Sequence, residues 1–123
     1  MAITKLHTVL TYLQKNKKLT NKQISEALDK DIETTKKMLN GTKKILKKDL
    51  EALAYIFTID QYTLLLHWQV EACERTINAA KKIPNPDKNL AEVNEMLIYK
   101  TKELSKTLLK LYRNNLKLDI KKI

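Results

Sequence analysis

Two histidines, one cysteine and one glycine are the residues through which this 123-residue chain could support catalysis, and their placement argues against it. His7 and His67 lie far apart, and neither sits in a His/Cys/acid cluster with metal-ligand spacing. Cys73 falls on an apolar helical face, where a thiol fills a core and does not act as a nucleophile. A single glycine excludes a glycine-rich phosphate loop. No enzyme, no metal, no cofactor and no small-molecule ligand is expected. What the chain carries in quantity is positive charge: 24 Lys and Arg against 14 Asp and Glu, a net +10. The excess is shared equally between residues 1–67 and 68–123, so it is not a disordered basic tail. Such a surface meets a polyanion, nucleic acid ahead of an anionic membrane.

One cysteine permits no internal disulfide, which points to a reducing cytoplasm. The first fourteen residues, MAITKLHTVLTYLQ, alternate apolar and polar side chains at helical spacing and lack a signal peptide's apolar core. No apolar run approaches the length needed to span a bilayer. Cytoplasmic localisation is expected, with no membrane partner. One glycine and two prolines leave little turn chemistry, so the fold class is all-α.

The elements that position the charge are clearest between Leu19 and Gly41, LTNKQISEALDKDIETTKKMLNG. Thr20 and Gln23 form a capping-box signature, which starts a helix at Asn21 with Ile24, Ala27 and Leu28 on one face. Asp31 is a second N-cap, after which the pattern places Ile32, Thr35, Met38 and Leu39 inward. Asn40-Gly41 stops that helix. A short pair joined by a tight turn is the shape that offers its second helix to a DNA major groove.

Around this pair the periodicity predicts a helix over residues 3–14, another over 48–57, and a long one after Thr58-Ile59-Asp60. On the long helix Ile59, Tyr62, Leu66, Val70, Cys73, Ile77 and Ala80 make one apolar seam. Residues 81–88, with paired prolines, form the linker, and Asn89 with Glu92 suggests the next cap. Leu90, Leu97, Leu104, Leu111 and Leu118 then recur every seven residues. Counted as d, they leave Asn94, Thr101, Leu108 and Asn115 at a, too polar for a long parallel zipper. Leu109, Tyr112, Leu116, Ile120 and Ile123 make a second apolar stripe, and Lys106, Lys110, Arg113, Lys117 and Lys121 a basic side. One stripe can pack on the long helix as a hairpin. The other asks for a partner, of which a second copy is the simplest, unless both faces are buried within a single compact monomer. Leu104, Leu108, Leu111, Tyr112, Leu116 and Ile120 are the candidate dimerisation residues. The expected division is a DNA-binding domain over residues 1–67 and a helical hairpin and dimerisation region over 68–123.

With those residues placed, the segment from about Leu6 to Leu66 resembles the lambda-repressor-like (Cro/repressor-type) helix-turn-helix family. Leu19–Gly41 is similar to its paired helices, and LEALAYIFTIDQYTLL to its closing pattern. The chain departs from the family at Asp29, where glycine is usual, at Lys30 and Thr35, where aliphatics are usual, and at Ile32, where a polar base-reading residue is common. The resemblance implies a five-helix domain and a homodimeric regulator, most often a repressor, of a two-fold site on double-stranded DNA. Matched positions would make Ile32, Glu33, Lys36 and Lys37 base-facing, and Asn21 and Asn40 phosphate contacts. Lys43 and Lys44, just beyond, suit phosphate on physical grounds as well. Lys37 suits guanine O6/N7, Glu33 the cytosine amino group, and Ile32 a thymine methyl. The competing readings are a helix-turn-helix fold used as an inhibitor or adaptor for a protein or ribonucleoprotein, and nonspecific coating of nucleic acid.

Overall fold

Apolar residues at helical spacing, almost uninterrupted by glycine or proline, leave this chain no alternative to helices. The computed structural model describes residues 3–123. Among them are six α-helices and no strand: α1 (Leu6–Lys17), α2 (Asn21–Leu28), α3 (Ile32–Leu39), α4 (Leu50–Phe57), α5 (Gln61–Lys81) and α6 (Lys88–Leu111). A 3-10 turn, Lys47–Asp49, leads into α4, and a widened turn of π type, Tyr112–Leu116, ends α6. No helix among the described residues is long and apolar enough to cross a membrane.

With one glycine available, the chain ends its helices on other residues. Lys18, Asp29, Thr58 and Lys117 all take the left-handed conformation after α1, α2, α4 and the π turn. Each L-residue held there costs roughly 1–2 kcal/mol, which the surrounding packing must offset.

The core is continuous. Val9 and Leu10 of α1, Ile24 of α2, Met38 of α3, Leu53 and Phe57 of α4, and Leu64 and Val70 of α5 are fully or almost fully buried together. Leu108 and Leu109 of α6, with Tyr112 and Ile120 beyond it, belong to the same cluster. The division expected after residue 67 therefore fails twice. It falls inside the unbroken helix α5, and residues from both sides share one core. The first two residues of that expected domain lie outside the described residues.

The same packing takes up three of the six candidate dimerisation residues. Leu108, Tyr112 and Ile120 have no accessible surface within a single chain. Leu104, Leu111 and Leu116 are partly buried against the same core. The second stripe is not the face of a continuing helix, because Lys117 turns left-handed and the tail folds back. There the Thr4 hydroxyl donates to the Ile120 carbonyl. The interior of the fold thus takes the second stripe, with Leu109, Tyr112 and Ile120 buried.

Smaller differences follow from packing too. Tyr62 points outward, 55% exposed, while Thr63 and His67 take the inward positions of α5. The cap of α6 is Asp87, whose carboxylate accepts from the Leu90 N–H at 2.7 Å, two residues before the expected Asn89. Ile32 is 41% exposed and not inward, standing at the edge of the face that Thr35, Met38 and Leu39 bury.

Candidate nucleic-acid interface

The α2–turn–α3 unit is built as its capping residues require. Thr20 accepts from the Gln23 N–H at 3.1 Å, and the Gln23 side chain accepts from the Thr20 N–H at 2.8 Å, a complete capping box. Asp31 caps α3 by accepting from the Thr34 N–H at 2.6 Å. Those hydrogen bonds to Thr34 hold the Asp31 carboxyl below its ordinary pKa. Asp29 supplies the left-handed residue of the turn at φ 54°, where a short polar side chain is tolerated. Lys30 reaches Asp49 at 3.7 Å, with both side chains largely covered. An ion pair thus ties the turn to the start of α4, where an aliphatic contact would have served. Thr35 is fully buried and satisfies its hydroxyl on the Asp31 carbonyl at 3.0 Å.

Thr35, Met38 and Leu39 hold α3 to the core, so the opposite arc faces solvent. Ile32, Glu33, Lys36 and Lys37 are all exposed on that arc. Glu33 and Lys36 lie 3.6 Å apart, an exposed pair of small energetic weight. Lys43 and Lys44 are exposed just beyond α3, and the Lys43 N–H donates to the Lys37 carbonyl at 2.9 Å. The two asparagines are less free. The Asn21 side-chain oxygen accepts from Gln14 at 2.8 Å, which ties α2 to α1. The Asn40 side-chain oxygen accepts from the Thr42 N–H at 2.9 Å, shaping the loop. For both, only the amide NH2 remains to donate to a phosphate.

Gly41 stands where it must. Its φ is +84°, and a Cβ there would lie 2.6 Å from His7 Nε2. The His7 ring closes one side of a cleft of about 370 Å³ between the start of α1, the segment after α3, and α5. Lys5, Lys43, Lys44 and Arg75 line this cleft beside Trp68, whose indole N–H donates to the Ile45 carbonyl at 3.3 Å. Trp68 thereby packs against the end of the helix pair, and a basic wall continues from α3 towards α5.

Behind this wall lies a buried polar cluster that the sequence analysis did not single out. His67 has no accessible surface. Its Nε2 lies 2.8 Å from the Thr4 carbonyl and 3.5 Å from Glu71, and its Nδ1 lies 3.2 Å from the Tyr112 hydroxyl. Burial lowers the imidazole pKa to about 4, against a smaller opposing effect of the Thr4 hydrogen bond. The ring is therefore neutral, with Nε2–H donating to Thr4 and Nδ1 accepting from Tyr112. Burial also raises the Glu71 pKa, partly countered by the Leu6 N–H that it accepts at 3.1 Å. The signal was there in part: His67 stands four residues from Thr63 and Glu71 and three from Val70, one helical face. Among the described residues no group of His, Cys, Asp and Glu could hold a metal ion. No family model, curated protein or solved structure matches the chain.

Proposed function

We propose that this protein is a sequence-specific DNA-binding regulator of the lambda-repressor-like helix-turn-helix type, acting in the cytoplasm as a homodimer on a two-fold operator. The observation that carries the reading is α3. It is capped at Asp31, anchored by Thr35, Met38 and Leu39, and presents Ile32, Glu33, Lys36 and Lys37 outward with Lys43 and Lys44 beside them. A helix so exposed and so flanked can enter a major groove while the lysines neutralise phosphate. Repression follows if the site overlaps a promoter.

Selection of bound fragments from a genomic pool, followed by titration on the selected site and on random duplex at two salt concentrations, tests this. A specific site bound at least about a thousandfold more tightly than random duplex supports it. A steep salt dependence with no preference makes the protein a nonspecific coat. Absence of DNA binding favours the adaptor reading, which the Asp31 and Glu33 carboxylates flanking exposed Ile32 would suit.

A further inference from the structure

We propose that two copies of this chain join antiparallel through the leucine column of α6, about a two-fold axis between residues 98 and 99. This rests on the homodimeric reading above and names the surface that serves it. Within one chain α6 packs on α5 through Thr101, Ser105 and Leu108, all buried. The heptad leucines stand a step further round the helix. Leu90, Leu97, Leu104 and Leu111 are each only partly covered, and beside them Val93 is 51% and Met96 71% exposed.

Counted as a positions, Leu90, Leu97 and Leu104 have Val93, Lys100 and Thr107 at d. The spacing alternates three and four, as a two-helix seam requires. From Leu90 to Thr107 it runs for about 26 Å at 1.5 Å per residue, more than scattered surface hydrophobics would produce.

Charge selects the occupant and its direction. The first half of α6 carries Glu92 and Glu95 against Lys88, and the second half carries Lys100, Lys102, Lys106 and Lys110 against Glu103. A parallel pair sets like on like and stacks Lys100 on its own copy. An antiparallel pair sets the acidic half of each helix on the basic half of the other, and a two-fold axis repeats the match. The register that keeps the two Lys100 apart pairs Leu97 with Lys100, Val93 with Leu104 and Leu90 with Thr107 across the seam. The Lys100 stem then covers Leu97 while its ammonium reaches water.

Sedimentation of the full chain without DNA, at tens of micromolar, should show a dimer. The variant with Val93→Asp and Met96→Asp should sediment as a monomer with unchanged helix content and a cooperative melt that no longer depends on protein concentration, since both side chains are more than half exposed. In a Cys73→Ser background, a mixture of Leu90→Cys and Thr107→Cys chains should cross-link on oxidation, and neither alone should. A monomeric native chain, an undiminished dimer in the double Asp variant, or self-cross-linking of Leu90→Cys would overturn the proposal. A monomeric native chain would leave the seam to a foreign partner. Assembly is read without DNA, so a dimer that binds no operator overturns the regulator and leaves the seam standing.

Discussion

The imidazole of His67 and the hydroxyl of Tyr112 meet 3.2 Å apart, edge to face, in the interior of the fold. His67 lies on α5 and Tyr112 just past the end of α6, so the contact joins the two halves of the chain. Thr4 completes it, taking the His67 Nε2–H on its carbonyl and giving its own hydroxyl proton to the Ile120 carbonyl. Burial raises the Tyr112 pKa, with a further push from Glu71, which keeps the phenol a donor.

This network makes stability depend on pH. The His67 pKa is lowered to about 4 in the fold, against about 6.5 when unfolded, so the unfolded chain binds more protons between those values. Stability should be full above about pH 6.5 and fall as pH drops towards 4, by up to about 3 kcal/mol. Glu71 acts in the opposite sense. Its raised pKa contributes stability that is present below its unfolded value and lost as pH rises through its folded one. Urea unfolding of the native chain and of His67→Gln across this range checks the balance. The variant should lose stability at pH 7 and should lose most of the slope between pH 6.5 and 4.

Truncation after Pro86 is expected to unfold the rest of the chain. It removes Leu108, Leu109, Tyr112 and Ile120 from the shared core. Each such loss costs about 2–5 kcal/mol, and four together match or exceed the ordinary 5–15 kcal/mol of a whole domain. Circular dichroism of the 1–86 fragment reads this directly. A cooperative thermal transition in that fragment would show that the helix pair folds without the tail.

Local order was legible in the sequence wherever a cap or a period carried it. The Thr20–Gln23 box, the Asp31 cap and the buried Ile24, Leu28, Met38 and Leu39 all stand where side-chain chemistry places them. The α3 face was legible for the same reason, because Thr35, Met38 and Leu39 fix which side is free. Contacts across the chain were not. Nothing local shows that Lys117 turns left-handed, that Ile120 reaches Thr4, or that Tyr112 meets His67. Which apolar stripe of the last helix the monomer covers was not legible either, because periodicity reports that a face is apolar and not what covers it.

Two substitutions at left-handed positions should move stability in opposite directions. Gly41→Ala places a Cβ against the His7 ring at φ +84° and should cost about 2 kcal/mol or more. Asp29→Gly relieves a left-handed L-residue at φ 54° and should stabilise by a few tenths to about 1 kcal/mol. Thermal melts of the two variants beside the native chain are sufficient. Equal and small effects would mean that the loop after α3 and the α2–α3 turn relax freely.

Lys37 and Lys43 provide the sharpest division of labour at the interface. They lie on one hydrogen-bonded turn, the Lys43 N–H donating to the Lys37 carbonyl, so their charges share a neighbourhood. Lys37 stands on the exposed arc of α3, where an ammonium can donate to guanine O6 and N7. Lys43 stands in the loop beyond, where phosphate is the available acceptor. Lys37→Ala should therefore weaken binding to the selected operator by about 1–3 kcal/mol and relax preference at one base pair of each half-site. Lys43→Ala should weaken specific and random duplex alike and flatten the logarithmic salt slope by about one unit. Titrations of both variants on the operator, on its single-base mutants and on random duplex, at two salt concentrations, separate the roles. If the two variants lose affinity equally on every duplex, α3 contributes charge alone, and the base-reading assignment of Lys37 is wrong.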